Sequence, residues 1–296
     1  MMSREPRNDQ SPEHVTGFYL ESFGFSERPF TLVPDPAFLY WSDQHKRAFS
    51  VLEFGILSRA PITLVTGAVG CGKTTLLRQL LKHIDSDSVV GLISNAHGGR
   101  GELIQWALHA LGVKINPEDG YLSQFQCLQD FLIETYAAGL RVILIFDEAQ
   151  NLSKDSLEEL RMLTNINSNK DELIQLVLVG QIELREMIKK PELRQLSQRI
   201  SASFHLQPLS EDETHEFIVH RLRVAGGHGR EFDDNAKMLI YDISQGIPRL
   251  INQVCDMSLL YAWSSETNIV DVNIVQAVID DGVFFGAEIA SGEAAE

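Results

Sequence analysis

The strongest constraint on the fold is a glycine-rich segment that joins an apolar run to a helical one. Residues 67–75 fit the pattern G-x-x-x-x-G-K-[ST], after the β-type run 62–66 and across the start of the helical run 73–84. Glycine lets the backbone turn several N–H groups inward, and the N-terminus of the following helix adds partial positive charge. The segment therefore predicts a phosphate site, and a chance glycine-rich turn explains it poorly.

Two side chains at the end of this segment add chemistry to the backbone amides. Lys73 can reach the β and γ oxygens of a nucleotide, and the Thr74 hydroxyl can ligate Mg²⁺. Cys71 is beside a helix N-terminus, which favours a thiolate, although a small residue that fills the loop explains it more simply. We predict that the loop binds Mg-ATP through Gly67, Ala68, Val69, Gly70, Cys71, Gly72, Lys73, Thr74 and Thr75.

Two acidic residues follow another apolar run. Residues 141–146 are almost continuously apolar, as in a strand covered on both faces, and Asp147 and Glu148 come directly after them. Open α/β sheets bind ligands at the carboxyl ends of their strands. We predict that Asp147 holds Mg²⁺ through its water shell and that Glu148 orients and polarises the attacking water. A pair of acids that caps the next helix is the alternative, and it fits less well beside a complete phosphate loop.

The remaining pattern predicts an α/β domain followed by a helical one. β-type and helical runs alternate up to residue 206, which is typical of a parallel sheet, and after Pro208 every run has helical spacing. We predict a nucleotide-binding core over residues 18–207 and a helical domain over 208–285. Polar and small residues at 1–17 and 286–296 predict disordered tails. An adenylate-type kinase shares the loop but needs neither Glu148 nor this long helical block.

Composition narrows the partners and the compartment. Lys and Arg number 25 and Asp and Glu 41, so the net charge of −16 gives no overall field that attracts nucleic acid. A local basic stripe could still do so, although a solvated helix face with one functional arginine explains it more simply. Its residues are Lys189, Lys190, Arg194 and Arg199. Three scattered cysteines and the lack of a transmembrane segment predict a cytoplasmic protein, in solution or peripheral on the cytosolic side of a membrane.

Several strings together resemble AAA+ ATPases and, among these, the ExeA-like (general secretion pathway protein A) family. They are Phe23-Gly-Phe with Arg28-Pro-Phe30, Pro34-Asp-Pro-Ala-Phe-Leu-Tyr40, the phosphate loop, Phe146-Asp-Glu-Ala-Gln150, Leu176-Val-Leu-Val-Gly-Gln181, Leu193-Arg-Gln-Leu with Gln198-Arg-Ile200, and Gly246-Ile-Pro-Arg-Leu-Ile-Asn252. The resemblance extends from about residue 18 to residue 281. It implies a three-layer AAA+ core with a five-stranded parallel sheet, followed by a small all-helical lid, and a homo-oligomer with ATP at subunit interfaces.

The resemblance also implies roles for individual residues. Gln181 resembles the sensor-one residue that reaches the γ-phosphate or the water, with a strand-end polar cap as the alternative. Arg249 resembles sensor two, which couples the lid to the γ-phosphate, and an ordinary surface pair is its alternative. Arg199 resembles the arginine finger that acts on a neighbouring subunit, with Arg194 in reserve. Residues 30–40 resemble the segment that packs around adenine, or they only form core.

Three functions fit these observations. The first is an ATP-hydrolysing protein that drives assembly or remodelling of a secretion or envelope-export system, with a protein partner that the sequence does not identify. The second is a DNA-associated AAA+ regulator of the transposition or replication-loading type, against which the acidic charge argues. The third is a slow nucleotide-gated switch that binds a partner, and it needs the same residues as the first.

Overall fold

The computed structural model describes residues 19–94, 102–116, 119–168 and 171–283. The tails that the sequence predicts at 1–17 and 286–296 lie outside these residues. The chain divides into two compact units. One is Pro34–Pro208, and the other combines the described residues up to Val33 with those from Leu209 onward. No helix among the described residues is long and apolar enough to cross a membrane.

The unit Pro34–Pro208 is built on a parallel sheet of five strands, as the sequence predicts. The strands are β1 (Ile62–Gly67), β2 (Ser88–Ser94), β3 (Arg141–Asp147), β6 (Ile174–Gly180) and β7 (Ile200–Leu206). The order across the sheet is β2-β3-β6-β1-β7, so β1, which leads into the phosphate loop, is flanked on both sides. A two-stranded hairpin of β4 (Asn167–Ser168) and β5 (Asp171–Glu172) precedes β6.

Helices cover both faces of this sheet and give it the predicted three layers. The described helices of the unit are α2 (Asp43–Leu57), α3 (Lys73–Leu81), α4 (Glu102–Ala110), α5 (Tyr121–Ala137), α6 (Lys154–Leu163), α7 (Ile182–Ile188) and α8 (Arg194–Ser197). Alternate residues of β3 enter two separate apolar clusters: Leu144 packs with residues of α4 to α8, and Ile143 with those of α2 and α3. Burial on both faces explains why β3 is apolar without interruption.

Helix starts in this unit follow the local sequence. The Ser42 hydroxyl accepts a hydrogen bond from the His45 N–H and caps α2. The Ser153 hydroxyl accepts one from the Ser156 N–H and caps α6 in the same way. Such a cap satisfies one of the N–H groups that a helix start leaves without an internal partner. The side chains at these positions therefore fix where each helix begins.

The second unit is helical. Its helices are α1 (Leu20–Phe23), α9 (Glu211–Val224), α10 (Asp234–Ser244), α11 (Pro248–Ser264) and α12 (Val272–Asp280). A capping box opens α9, because the Ser210 hydroxyl accepts from the Glu213 N–H and the Glu213 carboxylate accepts from the Ser210 N–H. The first residue of this unit after the sheet is Leu209.

The start of the chain differs from the sequence expectation, because described residues up to Val33 pack with the helical unit instead of the sheet. Phe30 is buried against Phe232, with ring centroids 5.9 Å apart in an edge-to-face arrangement. The Asp256 carboxylate of α11 accepts hydrogen bonds from both Tyr19 and Arg28. These contacts join residues about 200 positions apart, so no local pattern could have indicated them.

A close backbone approach in the helical unit generates a stability prediction. Gly246 has φ +70°, and a Cβ there would lie 1.9 Å from the Leu209 carbonyl oxygen. Gly246→Ala is therefore expected to lower the free energy of unfolding by about 3 kcal/mol or more, since backbone strain and a backbone clash add. Chemical denaturation would measure it.

Gly24 offers a matched control for this substitution. Its φ is +72°, and a Cβ there would meet nothing within 4 Å. Gly24→Ala should therefore cost only about 1 kcal/mol, from the left-handed backbone alone. Equal losses of stability in the two variants would contradict the importance of the approach to Leu209.

Candidate nucleotide site

The glycines of residues 67–75 shape the loop for different reasons. β1 ends at Gly67 and α3 begins at Lys73. Gly70 and Gly72 have φ values of +81° and +92°, a backbone conformation that residues other than glycine rarely adopt. At Gly67 the limit is space, because a Cβ would lie 2.6 Å from the Leu206 carbonyl oxygen of β7. The backbone thus forms a tight loop between strand and helix, in the place that the sequence predicts.

Lys73 is buried at the base of this loop. Its ammonium donates hydrogen bonds to the carbonyl oxygens of Gly67 and Ala68, both at 2.8 Å. Burial lowers the pKa of Lys73, and the neighbouring carboxylates of Glu148 and Asp147 partly oppose that shift. An ammonium in this position has a third N–H for an anion, and a phosphate beside it would favour the charged form.

Thr74 and Asp147 bring an oxygen pair together from two different elements. The Thr74 hydroxyl of α3 donates to Oδ2 of Asp147, at the end of β3, over 2.9 Å. Oδ1 of Asp147 accepts the Glu148 N–H at 3.0 Å. Burial raises the pKa of Asp147, and these two hydrogen bonds oppose the shift. A hydroxyl beside a carboxylate fits Mg²⁺, which prefers oxygen ligands, so the residues present match the predicted metal.

Glu148 adopts an uncommon backbone conformation. Its φ of +55° and ψ of +39° are left-handed, and the short 3₁₀ helix Ala149–Asn151 follows it. Non-glycine residues adopt this conformation at a cost, and such strain clusters at functional sites. The turn lets the carboxylate of Glu148 reach the glutamines of the neighbouring segments.

Two glutamines hold the Glu148 carboxylate. Its Oε2 accepts from the side-chain amide of Gln150 at 2.6 Å and from that of Gln181 at 3.2 Å. Oε1 of Gln150 in turn accepts the Gln181 backbone N–H at 3.0 Å. The structure thus brings Gln181 to Glu148, while Gln150 was missed as a site residue. Its only sequence signal was its place two residues after Glu148 in the string 146–150.

Cys71 is a packed residue of the loop. Its side chain is 1% exposed, and burial raises the pKa of its thiol to about 11. At that pKa the thiolate is scarce near neutral pH, so the environment does not favour redox chemistry. The simpler interpretation from the sequence, a small residue that fills the loop, agrees with this burial.

Arg199 lies at the edge of the sheet opposite to the phosphate loop. It precedes β7, whose first residue, Ile200, pairs with Ile62 at the start of β1. Its guanidinium donates to the Thr164 carbonyl at 3.0 Å and to the Asn165 side chain, and it lies 3.6 Å from a Glu172 carboxylate oxygen.

Two further arginines of the predicted set are exposed. Arg194 lies on α8, and Arg249 lies in the first turn of α11 in the helical unit. Within the described ranges, neither side chain forms an ion pair.

Residues 30–40, which the resemblance assigns to adenine packing, contribute buried side chains to both units. Phe30 packs in the helical unit, and Phe38 is 3% exposed in the other unit, on the 3₁₀ helix Pro36–Phe38. Both rings are buried, as expected for the alternative in which residues 30–40 form core. A contact with adenine stays a prediction.

Comparisons with known proteins place these features in a family context. A protein-family model described as an AAA domain matches residues 56–188. General secretion pathway protein A of Aeromonas hydrophila is 38% identical over 246 residues, which are 83% of this chain and 45% of that protein. The Mu-like prophage FluMu DNA transposition protein B of Haemophilus influenzae is 28% identical over 235 residues, 77% of this chain and 73% of that protein.

Solved structures support the same fold. The ORC2 protein of Aeropyrum pernix matches with a TM-score of 0.65 at 17% identity, over 86% of this chain and 72% of that one. The matched region spans less than half the length of General secretion pathway protein A. The chain therefore has the AAA+ P-loop fold, and its sequence is related to that of general secretion pathway protein A over most of its own length.

Proposed function

We propose that the protein binds Mg-ATP and hydrolyses it where β1, β3 and β6 end. The observation that carries this proposal is the Glu148 carboxylate, held by Gln150 and Gln181 beside the Thr74–Asp147 pair. A phosphate site needs only the loop and Lys73. A carboxylate that is separately held, next to an oxygen pair suited to Mg²⁺, adds what hydrolysis requires.

Each residue has a defined task in this proposal. The loop amides and Lys73 bind the phosphates, and Thr74 and Asp147 hold the metal. Mg²⁺, when bound, neutralises charge that develops on the phosphates. Glu148 accepts a hydrogen bond from the attacking water and orients it, because phosphoryl transfer depends mainly on positioning and electrostatics.

The arginines extend the proposal to a homo-oligomer. Arg249 on α11 would sense the γ-phosphate from the lid, and an arginine of a neighbouring subunit would stabilise the transition state. Arg199 would have to exchange its contacts with Glu172 and Thr164 for this task. Arg194 is exposed without such contacts among the described residues, so we retain both as candidates.

Substitution of Glu148 tests hydrolysis separately from binding. Glu148→Gln keeps the shape of the side chain and one acceptor oxygen for Gln150 and Gln181, but it removes the second acceptor oxygen and the charge that polarises water. We expect ATP turnover to fall about 100-fold or more, with Mg-ATP affinity retained. Steady-state phosphate release and equilibrium nucleotide binding would measure the two quantities.

Glu134→Gln is a matched control, because Glu134 is exposed on α5 and the same charge is removed away from the site. Its turnover should equal that of the wild type. Rapid hydrolysis by the Glu148→Gln protein would remove Glu148 from its proposed role.

The glutamine network makes a second, independent prediction. Gln150→Ala and Gln181→Ala should each lower kcat about tenfold, because each removes a donor that positions Glu148. Since both act through the same carboxylate, the double variant should be little worse than either single variant. A double-mutant cycle on kcat would measure the coupling.

Gln126→Ala is the control for the loss of an amide. The Gln126 side chain donates to an Asp130 carboxylate at 2.8 Å on the exposed face of α5. Its loss should leave kcat unchanged. Strictly additive effects of the Gln150 and Gln181 substitutions would show that the two act on different steps.

For the cellular role we propose assembly or remodelling in a secretion or envelope-export system, driven by ATP. The 38% identity to General secretion pathway protein A supports this choice, although the matched region is 45% of that protein. A protein that uses ATP in such a system would act in the cytoplasm or on the cytosolic face of the inner membrane. Its partner would be another protein of that system.

A DNA-associated role is the second candidate. It is favoured by the 28% identity to the Mu-like transposition protein B, of which the match covers 73%. Basic residues of the stripe, Lys189, Lys190 and Arg194, are exposed, although Lys189 pairs with Glu186 at 2.6 Å. The net charge of −16 opposes contact with a polyanion elsewhere on the surface.

Salt-dependent DNA binding separates the two roles. With Mg-ATP present and at about 150 mM salt, we expect no measurable affinity for duplex DNA. Fluorescence anisotropy with a labelled duplex would measure this. Affinity that falls with salt, and that Lys190→Ala weakens while Lys46→Ala does not, would favour the DNA-associated role instead.

A further inference from the structure

A buried histidine contacts the phosphate loop from outside it. His45 lies in the first turn of α2 and is 4% exposed. Its Nε2 is 3.1 Å from the Cys71 carbonyl oxygen, and its Nδ1 is 2.8 Å from the Ser42 hydroxyl. None of the roles proposed above uses this side chain, although it touches the centre of the loop.

One arrangement of protons satisfies these contacts. A carbonyl oxygen only accepts hydrogen bonds, so Nε2 of His45 must carry the proton that reaches Cys71. In the neutral ring Nδ1 then accepts a proton from the Ser42 hydroxyl. The Ser42 oxygen in turn accepts the His45 backbone N–H at 3.3 Å, as the cap of α2. The cap of the helix thus also fixes the orientation of the imidazole.

The contact with Cys71 restrains the next amide of the loop. The carbonyl of Cys71 and the N–H of Gly72 belong to one planar peptide unit, which is trans and therefore directs them in opposite directions. When His45 holds the carbonyl, the Gly72 N–H has to point away from His45. A Cβ at residue 72 would lie 3.0 Å from Nε2, so the imidazole fills the space beneath this peptide.

We propose that His45 is a positioning residue that holds the Cys71–Gly72 peptide so that the Gly72 N–H faces the phosphates of a bound nucleotide. The inference rests on the proposed nucleotide site. Its advantage is preorganisation: a donor already directed at the ligand loses less freedom on binding and needs no reorganisation. Stability of α2 has other sources, since Ala48, Leu52 and Ile56 bury its apolar face.

The test compares two substitutions of His45 by amide side chains of different length. Glutamine places an N–H donor about as far from the backbone as Nε2, whereas asparagine reaches only about as far as Nδ1. His45→Gln should bind a Mg²⁺-bound, non-hydrolysable ATP analogue within about threefold of the wild type, and His45→Asn about tenfold more weakly, a difference of ~1.4 kcal/mol against wild type. Calorimetric titration would give the affinities, and the melting temperature of each variant would be recorded.

A substitution in the apolar core of α2 separates an effect on nucleotide affinity from an effect on the stability of the fold. Leu52 is 1% exposed on α2, so Leu52→Ala should lower the melting temperature while the folded protein keeps its affinity. If Leu52→Ala weakens binding as much as His45→Asn does, or if His45→Asn binds like the wild type, the positioning role is wrong. A wild-type protein without affinity for the analogue would instead refute the proposed nucleotide site itself.

A second pair of variants covers the case in which the His45 variants do not fold. Ser42→Ala and Ser153→Ala each remove a helix-capping hydroxyl, but only Ser42 also contacts an imidazole beside the loop. Ser42→Ala should weaken binding of the analogue several-fold, and Ser153→Ala should leave it unchanged. Equal affinities of these two variants would overturn the proposal.

Discussion

Parallel register between the central strands determines whether the site can exist. β1 pairs with β6 from Ile62↔Leu176 to Thr66↔Gly180, and β3 pairs with β6 up to Phe146↔Leu178. The three strands therefore end at one edge of the sheet, where the loop, the two acids and Gln181 follow them. A slip by one residue would exchange the side chains between two buried faces whose partners differ in shape, so close packing on both faces favours this alignment. The core and the site thus have the same physical origin.

Burial shifts the pKa values of the charged groups at the carboxyl ends of the strands in opposite directions. It lowers the pKa of Lys73 and raises the pKa of Asp147, so each side chain bears a desolvation cost in its charged form. A phosphate beside Lys73 and a divalent cation beside Asp147 would each offset that cost. Because a nucleotide offsets only the cost at Lys73 and a metal ion only the cost at Asp147, the proposed site suits a metal–nucleotide complex better than either component alone.

The sequence allowed the phosphate loop and the two acids to be predicted, because each is a pattern of residues close together in the chain, whereas the five-stranded sheet was implied by the family resemblance. The strand before Gly67 and the helix from Lys73 are local patterns, and the buried run before Asp147 is another. Gln150 could not be assigned a task, since its contact with Glu148 depends on a left-handed backbone that the sequence does not reveal. The packing of Phe30 against Phe232 was equally inaccessible, because the two are separated by most of the chain.

The backbone at Glu148 has a consequence for how such a site can change over time. A left-handed conformation costs a residue with a side chain about 1 kcal/mol relative to what glycine would tolerate there. Selection for a more stable fold alone would therefore favour replacing Glu148, and only selection for its carboxylate opposes this. Copies of the domain that lose the proposed hydrolysis are expected to drift toward glycine or asparagine at residue 148, so the identity of this one residue would record whether a lineage keeps that proposed activity.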